Sequence, residues 1–184
     1  MTVDSDRVPG LVVGFPAVAA PDARALILGT APSVRSLEAG EYYAHPRNAF
    51  WRIMEALFAE SPVLDYSHRK LLLLSAKVAL WDVLSSAERP GSLDASIVKG
   101  SVKVNDFAGF FARHPGIRAV FFNGSTARSL WDRHVAGMLP VHADLFFVTL
   151  PSTSPANARL TLDEKIEAWR AVTAALRMEP KTAH

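Results

Sequence analysis

Leu26-Ile27-Leu28-Gly29-Thr30-Ala31-Pro32-Ser33 is an apolar run that stops at a glycine and passes into a polar loop. A short, continuously apolar segment from Ala25 to Gly29 has the character of a strand buried on both faces. The same figure recurs along the chain. Val78–Leu84 reads as a second strand, Ile117–Phe122 as a third running into Asn123-Gly124-Ser125, and Asp144–Leu150 as a fourth running into Pro151-Ser152-Thr153-Ser154-Pro155. Between them the apolar spacing becomes helical. From Ala49, the positions Phe50, Ile53, Met54, Leu57 and Phe58 form one stripe, with Asn48 as a natural N-cap. A helix over about Tyr66–Ala76 carries the Leu71–Leu74 run and is expected to pack deeply. Asn105 or Asp106 caps a short helix bearing Phe107, Phe110 and Phe111, and another helix buries Leu130 and Trp131. The last helix has Leu162, Ile166, Trp169, Val172 and Leu176 on one face, and Thr161 with Glu164 as a capping box. Residues 30–47 and Ser85–Ser101 read as loops. Alternating strand and helix predict an α/β fold, a three-layer αβα sandwich around a mainly parallel four-stranded sheet. Residues 1–23, rich in Pro and Gly, read as an irregular arm, and residues 24–178 as a single domain.

The 184 residues are 49% hydrophobic and 21% charged, the profile of one compact domain. Without cysteine, an iron–sulfur cluster, a thiolate zinc site and a cysteine nucleophile are excluded, and a reducing, cytoplasmic setting is expected. The net charge of only +2 means that attraction to nucleic acid must come from local arginine placement. The apolar run Val8–Ala20 is interrupted by Pro9, Gly10, Gly14 and Pro16, so neither a signal peptide nor a membrane span is expected.

The polar loops carry the chemistry. Tyr42-Tyr43-Ala44-His45-Pro46-Arg47-Asn48-Ala49-Phe50-Trp51 places aromatic, imidazole, guanidinium and amide groups at the start of a helix, a setting suited to anionic or carbonyl-rich ligands. Asn48 is a helix cap, or its amide orients a water beside a bound base. Tyr42 and Tyr43 cover the helix end, or form a stacking platform for a nucleobase. Asn123 is a turn-former, or offers donor and acceptor to a base edge. Ser152, Thr153 and Ser154 lack a G-x-S-x-G elbow, and hydroxyls beside two prolines suit phosphate oxygens better than a nucleophile's role. Gly29–Ser33 matches neither the dinucleotide nor the P-loop pattern. The six histidines show no metal spacing, and only His45 lies in a motif. Acidic residues do not gather in these loops, so a two-carboxylate glycosidase is not suggested.

These segments, in this order, resemble the uracil-DNA glycosylase superfamily, in the branch of mismatch-specific uracil and thymine glycosylases. Gly29-Thr30-Ala31-Pro32-Ser33 is similar to its G-I-N-P-G motif, Tyr43–Trp51 to its aromatic-A-H-P-x-N-x-F-W segment, and Leu150-Pro151-Ser152 to its N-P-S motif. Tyr42–Trp51, Trp81–Leu84, Gly91–Asp94, Phe121–Gly124 and Leu150–Pro155 resemble most the hypoxanthine-DNA (deoxyinosine) glycosylases. Ala31 stands where mismatch uracil enzymes keep a water-activating Asn, a change compatible with a wider pocket for a purine. The resemblance implies a monofunctional DNA glycosylase that hydrolyses the N-glycosidic bond of deaminated bases, hypoxanthine first, with uracil or xanthine as lesser substrates. It implies Asn48 and His45 as catalytic residues and Thr30, Ala31, Tyr43 and Asn123 as base contacts. Ser33, Arg47, Ser152, Thr153, Ser154, Pro155, Asn157 and Arg159 become DNA contacts, with the Pro155–Arg159 stretch filling the gap left by the base. No metal or organic cofactor is expected, and no lysine stands in the motif loops to form a Schiff base. The partner is double-stranded DNA, with single strands left open, and the protein is expected to act as a monomer away from membranes. A non-catalytic lesion-binding module on the same fold and a hydrolase of free nucleosides are the competing readings.

Overall fold

The computed structural model describes residues 10–61, 65–91, 93–139 and 145–178. Ser92 of the Gly91–Asp94 motif, Asp144, His142 and His184 lie outside the described residues.

Four strands form the central sheet: β2 (Ala25–Gly29), β3 (Val78–Asp82), β6 (Ala119–Asn123) and β7 (Phe146–Leu150), in the order β3-β2-β6-β7 and all parallel. Side chains alternate across a strand, and the alternation here sorts two cores. Leu26, Leu28, Ala79, Trp81, Val120 and Phe122 face one side, where they meet α4 (Phe107–Arg113) and α5 (Ser125–His134). Ala25, Ile27, Val78, Leu80, Ala119 and Phe121 face the other, against α2 (Phe50–Phe58), α3 (Tyr66–Ser75) and α6 (Leu162–Arg177). The three-layer αβα sandwich expected from the sequence is therefore present. Caps fix the helix starts: Asp106 accepts from the Gly109 N–H at 2.9 Å, and Thr161 and Glu164 form the reciprocal capping box.

Three sequence expectations are corrected. The 30–47 loop contains a short helix, α1 (Val34–Ala39), begun by the Ser33 side chain and ended by Gly40 at φ +67. The Ser85–Ser101 loop contains β4 (Leu84–Glu88), which pairs antiparallel with β1 (Leu11–Val13) and with β5 (Lys103–Val104). That small sheet also takes up part of the arm expected to be irregular. The polar face of Leu84-Ser85-Ser86-Ala87-Glu88 hides the strand in the sequence, and three-residue β1 is too short to alternate visibly. Third, of Leu71–Leu74 only Leu73 is fully buried and Leu71 is exposed, because four consecutive helical residues cannot share one face.

Parallel register sets the position of the site. Gly29 lies beside Asp82, Leu28 beside Phe122, and Asn123 beside Leu150, so all four strands end along one edge. Open α/β sheets bind ligands in the crevice outside such an edge. Among the described residues no helix is long and apolar enough to cross a membrane.

Candidate active site

A cavity of about 340 Å³ opens at this edge. That is near the small end of the roughly 300–1,000 Å³ typical of ligand clefts. Its wall includes Thr30, Ala31, Ser33, Tyr43, Asn48, Asn123, Ser152, Thr153, Ser154 and Asn157. Loops separated by more than a hundred residues in sequence thus share one space, and a backbone hydrogen bond joins them: the Ala49 N–H donates to the Thr153 carbonyl at 3.0 Å.

Tyr43 takes φ +54, a left-handed conformation uncommon for a bulky residue and typical of functional sites that hold strain. Its ring stacks on Phe50 with centroids 4.1 Å apart, so Phe50 backs it from inside the core. Burial, then the nearby Asp82 carboxyl, hold its hydroxyl protonated far above the ordinary range. Among the described residues that hydroxyl is buried without a hydrogen bond of ordinary geometry, although the nearby Asn123 amide opposes the rise. Asn48, expected as the N-cap of α2, stands one residue before the cap position, which Ala49 takes. Its Oδ1 accepts from the Phe50 N–H at 3.0 Å at the start of α2, and its side chain reaches the cavity wall. One hydrogen bond fixes the amide plane and leaves the second lone pair of Oδ1 for another partner.

The loop after β7 is held on all sides. Asn123 Oδ1 accepts from the Thr153 N–H, and Asn123 Nδ2 donates to Thr153 Oγ1, both at 2.8 Å. Asn157 Nδ2 donates to the Ser152 carbonyl at 3.1 Å, and Lys165 Nζ donates to the Asn157 carbonyl at 2.8 Å. Trp169 Nε1 donates to the Pro151 carbonyl at 3.0 Å. Gly124, at φ +95, sits so close to this loop that an added Cβ would lie 3.0 Å from Ser152 Cβ. Four expected site residues stand outside the cavity wall. His45 turns its Nδ1 toward the Arg47 N–H, which donates to it at 3.1 Å, and half-buried there it shapes its own turn. Arg47, Pro155 and Arg159 are exposed on the flanking loops.

The cavity also holds charges that the sequence reading left without a role. Asp82, the last residue of β3, and Asp94 both line it, although acidic residues do not gather in the motif loops of the sequence. Asp82 is 3% exposed and, among the described residues, its Oδ2 has no hydrogen-bond partner. Burial, then the Asp94 charge, push its carboxyl up to about 7, opposed by Arg89. Asp94 accepts from Thr30 Oγ1 at 2.9 Å and lies 3.5 Å from Arg89, and burial likewise raises its carboxyl above the usual range. The Arg89 guanidinium is fully buried, donates to the Pro32 carbonyl, and among the described residues keeps an unpaired Nε. Burial lowers its affinity for its proton. One buried cation faces two carboxyl groups, so the cluster is near neutrality only when one of them is protonated. The signal was available: Asp82 is a charged residue closing an apolar strand, at the sheet end where sites form. Among the described residues no three His, Asp or Glu side chains gather as a metal-ligand group.

Comparison with known proteins agrees with this geometry. The family described as the uracil DNA glycosylase superfamily matches residues 15–173. A hypoxanthine DNA glycosylase of Methanosarcina acetivorans is 35% identical over 163 residues, covering 86% of this chain and 96% of the relative. A hypoxanthine DNA glycosylase of Methanosarcina barkeri is 34% identical over 112 residues, covering 60% of this chain and 70% of the relative. A solution NMR structure of a Methanosarcina acetivorans protein, described as a candidate uracil DNA glycosylase, superposes with a TM-score of 0.74 at 32% identity. The superposition covers 91% of this chain and 99% of the other. The chain belongs to the uracil DNA glycosylase superfamily.

Proposed function

We propose that the protein is a monofunctional DNA glycosylase that hydrolyses the N-glycosidic bond of deaminated bases, with hypoxanthine as the leading substrate and uracil or xanthine as lesser ones. The observation that carries this reading is the meeting of Asn48, Tyr43, Asn123 and the Ser152–Ser154 loop around one nucleobase-sized cavity. A base stacked in a duplex is out of reach, so the nucleotide is extruded, which is easiest for a mispaired lesion. Tyr43, braced by Phe50, stacks on the base. Asn123, oriented by Thr153, keeps one N–H and one lone pair for the base edge. Ser152 and Ser154 take the flanking phosphates, while exposed Arg47 and Arg159 extend the contact along the strand.

Breaking the glycosidic bond leaves positive charge on the sugar and negative charge on the base. Asn48 holds a water against C1′ through the free lone pair of its Oδ1. An amide is a weak base, but a nearly dissociated sugar cation needs a placed water more than a strongly activated one. Backbone N–H groups of Thr30 and Ala31 stabilise the leaving base. Ala31, carrying only a methyl group, leaves width for a purine.

The test is a panel of labelled duplexes carrying hypoxanthine, uracil, xanthine or a thymine mispair, incubated with protein and then treated with hot alkali. Alkali-dependent breaks, strongest at hypoxanthine, support the reading. Tight binding without any break points instead to a lesion-binding module, and cleavage of free nucleosides alone points to a monomer hydrolase.

A further inference from the structure

On the glycosylase reading above, we infer that Asp82 is a catalytic acid, delivering its carboxyl proton to N7 of the departing purine. Three geometric features support this. Asp82 ends β3, the edge strand beside β2, and lines the same cavity as Asn48 and Asn123. Among the described residues its Oδ2 has no partner, an arrangement that a structural carboxylate would have no reason to keep. Gly29 supplies the room: a Cβ there would lie 2.4 Å from Asp82 Oδ1 and 2.7 Å from Tyr43 Oη, so this glycine lets both groups converge on one point of the floor.

The neighbours decide the protonation state. Asp94, from the turn after β4, disfavours a second negative charge, and Arg89 at the end of β4 favours one. Tyr42 and Tyr43 stay neutral because burial and the same carboxyl oppose their ionisation. Burial dominates, and the Asp82 carboxyl titrates at about 7, where an acid is both protonated and ready to give up its proton.

The step balances as follows. The C1′–N9 bond breaks and its electron pair stays with the base. The Asp82 proton moves to N7, so hypoxanthine leaves as a neutral molecule and Asp82 becomes a carboxylate. The oxygen of the Asn48-held water bonds to C1′ and gives up a proton, and a proton from solvent restores Asp82. The net change is addition of one water across the glycosidic bond. N7 is the most basic ring nitrogen that the purine presents, and pyrimidines have none in that position. The acid therefore assists purines in particular.

Single-turnover release from a hypoxanthine duplex, followed from pH 6 to 9, tests the inference because it isolates the chemical step. The unaltered protein should slow about tenfold per pH unit above about pH 7, following loss of the Asp82 proton. Asp82→Asn keeps a hydrogen-bond donor but has no proton to give. It should be slower by at least about 100-fold and flat across the range. A duplex carrying 7-deazahypoxanthine makes the same test without a variant: the unaltered protein should bind it normally and release it at least about 100-fold more slowly. Equal release of the 7-deaza base, or an Asp82→Asn enzyme with the original rate and pH profile, overturns the inference and leaves the glycosylase reading standing. An unaltered protein that releases no base overturns that reading itself.

Discussion

Asn123 and Thr153, thirty residues apart, exchange two hydrogen bonds of 2.8 Å, one through the Thr153 backbone and one through its hydroxyl. This pair ties the end of β6 to the loop after β7, and with the Ala49-to-Thr153 bond it locks the cavity wall before any ligand arrives. Asn123 is therefore presented in a fixed orientation, with its amide assigned by its partners. Preorganisation of this kind lowers the entropy lost on binding.

Thr153→Val keeps the shape of the side chain and removes the hydroxyl acceptor. The Asn123 amide then loses one of its two anchors inside the protein, costing about 1–3 kcal/mol of stability. Base affinity should fall while residual turnover persists, and KM against kcat for the hypoxanthine duplex checks it. An unchanged KM would show that the pair does not position the base.

Asn48→Ala should remove both tasks of that residue. Loss of the bond to the Phe50 N–H costs about 1 kcal/mol, and in a chain of this size that lowers Tm by roughly 2–4 °C. Base release should drop by at least about 100-fold with duplex affinity largely kept. Asn48→Asp retains the bond at the start of α2, so its Tm should match the original. The variants compared by melting and by release separate the cap from the chemistry.

Gly29→Ala brings a methyl group to 2.4 Å from Asp82 Oδ1 and 2.7 Å from Tyr43 Oη. Both groups must retreat inside a packed floor, at a cost of about 1–3 kcal/mol. The variant should fold with a reduced Tm and bind a hypoxanthine duplex no better than an undamaged one, as a paired titration would show.

The raised Asp82 carboxyl also predicts how stability depends on pH. The folded state holds this proton up to about pH 7, whereas the unfolded chain releases it near 3.8. Its contribution is thus fully present below pH 4, is lost between 4 and 7, and does not return above 7. The loss is at most about 4 kcal/mol. Asp82→Asn removes this dependence, so the variant should gain Tm relative to the original protein on going from pH 5 to pH 8. Parallel melting curves at the two pH values measure it, and a constant Tm difference would mean that Asp82 is not protonated in the folded state.

The strands β2, β3 and β6 were legible because each is a short buried run ended by a Gly, Asp or Asn at the start of a polar loop, and β7 because it is apolar, although at the sheet edge only its Leu150 is buried. The convergence of the loops followed from the parallel topology, and the polar residues at the strand ends were visible one by one. What stayed hidden depended on context. β4 shows a polar face and exists because the arm segment Leu11–Val13 lies along it. α1 is six residues long, too few for periodicity, although Ser33 and Gly40 mark its ends. Arg89 has the residue type most expected in solvent, and only the fold shows it enclosed between Pro32 and Asp94. Asp82 and Asp94 were visible within motifs, but a carboxyl in a sequence does not show whether water or a cavity surrounds it. His45 had a place in a motif, and its ring nevertheless serves the local turn.

Whether water severs a flipped purine inside this cavity is decided by a single reaction in ¹⁸O-enriched water. A duplex with one hypoxanthine is incubated with the protein, and the released base and the resulting strand are weighed by mass spectrometry. The expected products are free hypoxanthine and an uncut strand with an abasic sugar carrying one ¹⁸O at C1′, both reduced at least about 100-fold with Asn48→Ala. A strand that keeps its base, or one trapped covalently on the protein by borohydride, rules out water attack in this cavity.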